Sequence, residues 1–216
     1  MESWSLLQIS SLECFIAIVI KACDRTLIDT LLKNTLLQQS CLVASLVIAG
    51  LWSIKAGILP NLTVHILGMT TITLIFGWRF ATLIATLALI LLLIFSELGI
   101  EQLGVTAVAN AFLPIAVSYL VFLASYQYLA RHVFVYIFVC AFLSAALCAA
   151  LHIGFMSALL LWQDAYPWQQ IYDNYTILAA LIWFPEATIN GMVITLLIIY
   201  RPHWVKTFYD KDYLSQ

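Results

Sequence analysis

Three pairs of residues four apart stand out in a sequence that is otherwise apolar: His65 with Met69, His152 with Met156, and Glu186 with Asn190. A spacing of four puts both members of a pair on one helix face. Asn110, in LGVTAVANAFLPIAV, adds a lone amide. Imidazole, thioether, amide and carboxylate together are the donor set of a site for a metal or a small polar solute. Glu186 lies within FPEATINGM, between LAALIW and VITLLIIY. A carboxylate deep in hydrocarbon costs several kcal/mol unless it has a partner or a cavity. Two explanations are open. Glu186 lines a polar cavity and holds a cation or solute, or it pairs with Lys55 or bonds between helices. Pro185 frees the carbonyl of Leu181 one turn earlier, and kinked backbone within a membrane is tolerated where it lines a cavity. Simpler roles compete. A single histidine in a span also serves as a helix–helix hydrogen-bonding group, and Met69, Met156 and Met192 also serve as packing.

The elements that must position these residues are membrane spans. Of 216 residues, 64% are hydrophobic and 9% charged, whereas soluble domains carry roughly 25% charged residues. Crossing a bilayer takes about 20 apolar residues in a helix. Seven apolar segments are legible: Leu6–Ala22, Cys41–Ile58, Val64–Phe76 (short for a crossing), Phe80–Phe95, Val105–Tyr126, Val133–Trp162 and Tyr175–Tyr200. With seven spans, Lys21, Arg25, Lys33, Arg79, Arg131, Arg201, Lys206 and Lys211 gather on one side and only Lys55 on the other. The positive-inside bias then predicts an N-terminus outside and a C-terminus inside. That topology puts Lys55, His65, Asn110, His152 and Glu186 at similar depth in the outer half.

The outer surface is predicted to be acidic and aromatic. Glu97, Glu101, Asp164 and Asp173 lie there with Tyr166, Trp168, Tyr172 and Tyr175. This reads either as an interfacial aromatic belt or as a mouth that attracts cations. Asn61-Leu62-Thr63 and Asn174-Tyr175-Thr176 match the glycosylation pattern, a short motif that also arises by chance. Other function classes find no support. There is no GxxxxGK[ST], HExxH or GxSxG motif, so neither P-loop ATP binding nor a familiar membrane hydrolase is indicated. No basic cluster suggests nucleic acid. The five cysteines form no CxxC pair and read as small buried residues. Met1–Ser11 lacks a basic segment, so no cleaved signal peptide is expected.

KAGILPNLTVHILGMTTITLIFGW, LGVTAVANAFLPIAVSYLVF and FPEATINGMVITLLIIYRPHW resemble, in order and spacing, the CbiM/NikM family. These are the membrane substrate-capture components of energy-coupling factor transporters for cobalt and nickel. The resemblance spans about residues 40–202, and the first segment resembles the family's extra N-terminal helix. It implies that His65, after the second span, helps to bind metal. It also implies that Asn110 is the family's asparagine at a span entry and that Glu186 is its acidic residue ahead of a glycine, here Gly191. The family begins Met-His-Ile and uses that histidine as a ligand. This chain begins MESWSLL, with Glu2 in that place, and Ile66-Leu67-Gly68-Met69-Thr70 follows His65 where the family has a Pro-Thr-Gly-Thr-Gly run.

The expectation is therefore an all-α, polytopic helical bundle of about seven spans. It forms a single membrane domain over 1–216, with an N-terminal helix and cytoplasmic loop (1–39), a core (40–202) and a cytoplasmic tail (203–216). It is not an enzyme. It sits in the inner membrane among lipid and captures a divalent transition metal, cobalt- or nickel-like, at an outward-facing site. The metal is cargo, with no permanently bound cofactor. The resemblance implies a coupling membrane subunit and ATPase subunits as partners. His65, Glu186, Asn110, Asn190, His152 and Met69 are the candidate site, with His65 as the metal ligand. The alternative is a non-transporting membrane assembly or interaction protein that has lost the metal site.

Overall fold

The structure, a computed structural model, describes residues 6–59, 62–95, 98–209 and 213. Glu2, Asn61, Glu97 and Lys211 lie outside the described residues.

Helix α1 (Leu6–Ala22) bends by 62° into α2 (Arg25–Lys33). The bend sits at Asp24, whose carboxylate accepts from the Leu27 amide at 2.9 Å and the Thr26 hydroxyl at 2.7 Å, so it caps α2. These bonds, Leu27 first, hold the Asp24 carboxyl down at about 2, and Arg79 pairs with it as well. Helix α3 (Thr35–Ser53) follows, capped by Asn34, whose side chain accepts from Leu37 N–H at 3.0 Å. An antiparallel hairpin comes next, β1 (Ala56–Leu59) with β2 (Leu62–Val64). The residues expected to extend the second span to Ile58 belong to this hairpin instead.

The segment expected as a short third span is divided. Val64 ends β2, His65–Gly68 is irregular, and only Met69–Phe76 is helical (α4). Gly68 has φ +67°, a left-handed conformation open to glycine at little cost. Gly77, at φ +78°, turns the chain into α5 (Trp78–Ile94). Two long spans come next, α6 (Ile100–Tyr128) and α7 (Val133–Trp162). Each contains a π-helical stretch, Ala107–Phe112 in α6 and Tyr136–Leu143 in α7. Helix α8 (Trp168–Asn174) leads to α9 (Ala179–Tyr200), which runs unbroken through Pro185.

Among the described residues, four helices are long and apolar enough to cross a membrane (α3, α6, α7 and the Leu181–Tyr200 part of α9). The bent α1–α2 pair makes a fifth if counted as one span, and α5 is a shorter apolar helix. The chain is a multi-pass helical membrane protein.

Small residues let the spans approach closely, as dispersion packing within lipid requires. Ala81, Ala85 and Ala88 of α5 are fully buried against the α3 side, with Trp52 and Ile48. At the opposite end of the molecule from the hairpin, Val205, Phe208 and Tyr213 pack with Leu74, Phe122 and Tyr136. The C-terminal segment is thus part of the bundle, drawn in by its apolar side chains. The second glycosylation match is occupied by packing: the Asn174 amide donates to Gln170 O at 2.9 Å and Tyr175 is buried.

Gly104 is where α1 and α6 touch backbone to backbone. A Cβ there would lie 2.5 Å from the Leu12 nitrogen. Gly154→Ala meets open space and serves as the control. Gly104→Ala should lower stability by about 1–3 kcal/mol, the range for overpacking, with Gly154→Ala near neutral. Thermal melting in detergent measures both.

Candidate functional site

The irregular turn His65–Gly68 is held by groups from two other helices. Trp52 Nε1 of α3 donates to Leu67 O at 3.1 Å. The Glu186 carboxylate of α9 accepts from Leu67 N through Oε2 and from Gly68 N through Oε1, both at 2.8 Å. Gly68 is the N-cap of α4 and has no side chain to cap it. Asn190 supplies the missing cap from α9: its Oδ1 accepts from Thr71 N–H at 2.9 Å, the bond an N-cap side chain makes to N3. Its Nδ2 donates to Glu186 Oε1 at 2.9 Å and to the Glu186 carbonyl at 2.8 Å. Glu186 and Asn190 are each about 1% exposed. A carboxylate at a helix N-terminus is further favoured by the helix dipole.

The spacing of four does place Glu186 and Asn190 on one face. That face meets the backbone of α4, not open space. Neither residue lines the cavity described next, so the expected cavity at Glu186 is replaced by a cap. Met69, the first residue of α4, is fully buried in the core and also lies outside the cavity.

His65, His152, Asn110 and Met156 do come together, in the wall of a cavity of about 470 Å³. The His65 and His152 rings meet edge to face with centroids 5.7 Å apart. Nε2 of His152 lies 2.9 Å from Asn110 Oδ1, which fixes that ring. Asn110 sits in the π-helical stretch of α6, a distortion often found at functional sites. Both ring nitrogens of His65 are shielded and have no hydrogen-bond partner among the described residues. Leaving such a group unsatisfied costs about 1–3 kcal/mol. The rest of the wall includes Gln8, Lys55, Thr63, Glu101, Gln102, Gln163 and Tyr175.

Of the expected acidic mouth, Glu101 reaches the cavity. Asp164 lies in the turn after α7 at φ +51°, and Asp173 accepts from Gln169 Nε2 at 2.9 Å on α8. Both stand apart from the cavity. Among the described residues no three His, Cys, Asp or Glu side chains group as a metal site. Sequence reasoning passed over Trp52, Thr71 and the wall glutamines. Gly68 behind His65 was the available signal, since a glycine at a helix start needs its cap from elsewhere.

Residues 7–204 match the family model described as CbiM, cobalt uptake substrate-specific transmembrane region. The chain belongs to that family. Neither a curated protein nor a solved structure matches it.

The cap predicts a separation of effects. Glu186→Gln puts an NH₂ against a backbone N–H, and Asn190→Ala leaves Thr71 N–H without an acceptor. Each should lower stability by about 1–3 kcal/mol and speed amide exchange at Leu67, Gly68 or Thr71. Unchanged melting and unchanged exchange would remove the capping role.

Proposed function

We propose that this protein is the membrane capture component of an energy-coupling factor-type importer, taking up a divalent transition metal such as cobalt or nickel. Membership of a cobalt uptake family supports the transport role. The single observation that carries the site is His65, whose two shielded ring nitrogens have no partner among the described residues and lie beside His152 at the cavity. A centroid separation of 5.7 Å is within reach of one ion bonded at about 2.1 Å to a nitrogen of each ring. Asn110 acts on His152 as outer partners act on metal-bound imidazoles, fixing orientation. Glu186 and Asn190 are positioning residues that hold the loop on which His65 sits. The metal is cargo and there is no resident cofactor.

The topology that goes with this reading has about seven spans in an inner membrane, N-terminus outside and C-terminus inside, by the distribution of basic residues. The cavity then faces outward. Release inward is driven by ATPase subunits acting through a coupling membrane subunit. A non-transporting assembly protein is the competing role. It predicts that the intact protein binds no metal.

His65→Ala should abolish cobalt binding by the purified protein, measured by equilibrium dialysis, while thermal melting shows that the variant remains folded. Binding by the unsubstituted protein should weaken as pH falls, because an imidazole must be unprotonated to coordinate. Binding that survives His65→Ala, or that strengthens in acid, overturns the assignment.

A further inference from the structure

The cavity differs from what a bare dication needs in both size and wall chemistry. Its volume of about 470 Å³ corresponds to roughly fifteen waters at about 30 Å³ each. An octahedral hydrated ion accounts for only about six of these. A transition-metal dication held by the chain alone takes three or four side-chain donors, and among the described residues no three His, Cys, Asp or Glu side chains group for that. This wall instead offers the amides of Gln8, Gln102, Asn110 and Gln163, the ammonium of Lys55 and the one carboxylate of Glu101. Amides and an ammonium donate hydrogen bonds to carboxylates, and Glu101 with the amide oxygens accepts from N–H groups. Among the described residues of the wall, imidazole donors meet where His65 faces His152.

We propose that the cargo enters as a chelate, a divalent transition-metal ion carrying a small ligand with amine and carboxylate groups, of the amino-acid type. The imidazoles take positions on the metal. The wall holds the part of the ligand that faces away from it: Lys55 and the glutamine N–H groups meet carboxylate oxygens, and Glu101 meets the amine N–H. A glutamine and lysine wall then sets specificity for the chelator, while the histidines set it for the metal. This inference rests on the capture role assigned above.

The test holds free cobalt(II) constant while the concentration of its histidine complex is raised, and reads cobalt bound to the purified protein. If the chelate binds, occupancy rises at least tenfold over that at the same free-ion level. Cobalt with citrate, which lacks the amine, gives a smaller rise. Lys55→Met and Gln163→Leu each reduce the rise, read as the ratio of cobalt bound with and without the chelator for the same variant. Melting of each variant confirms that it is folded, and either one suffices. Occupancy that follows free cobalt alone overturns the chelate and leaves metal capture standing. A rise that survives both substitutions also overturns it, because the chelator is then held elsewhere. Binding of neither form defeats the capture role itself, a distinct outcome.

Discussion

An eight-residue helix cannot satisfy its own ends. Helix α4 runs from Met69 to Phe76, about 12 Å at 1.5 Å per residue. Its residues from Met69 to Leu74 are buried among other helices, where N–H and C=O groups left unmet cost about 1–3 kcal/mol each. At one end Glu186 and Asn190 meet them. At the other, Thr207 Oγ1 donates to Leu74 O at 2.7 Å and Lys206 N–H donates to Ile75 O at 3.0 Å. Tyr136 lies 2.6 Å from the same threonine hydroxyl. Because α4 is short and externally capped, the four residues before it are free to be irregular. That irregular turn presents His65 to the cavity.

The helical segments were readable because long apolar runs leave few alternatives. Leu6–Ala22 and Val133–Trp162 coincide with observed elements. The third segment was not readable as built. Its apolar content looks like a span, and nothing in composition separates a strand, a turn and a short helix over thirteen residues. Gly68 was the local clue, and its left-handed φ explains the break.

Residue type and approximate depth group His65, Asn110 and His152, and the structure places these three side by side. Depth carries no information on facing, and here the candidates divide. Glu186 and Asn190 share a face, as spacing requires, but their partners are amides of Leu67, Gly68 and Thr71. Any residue type supplies a backbone amide, so such a partner leaves no mark in the sequence. Tyr175 shows the same limit: counted with the exposed aromatics, it is about 1% exposed and lines the cavity.

Fastening α4 through distant partners also sets a timetable for biosynthesis. Leu67 and Gly68 precede Glu186 by 119 and 118 residues, and Leu74 precedes Thr207 by 133. During synthesis the turn and its short helix are made long before either clasp exists. Helix α9 and the segment beyond it act as a keystone, made later and locking what came first. Contacts of such range close slowly, so the amides of Leu67 and Gly68 wait for their acceptor until Glu186 has been made. Assembly of the turn that carries His65 in this way follows synthesis of α9.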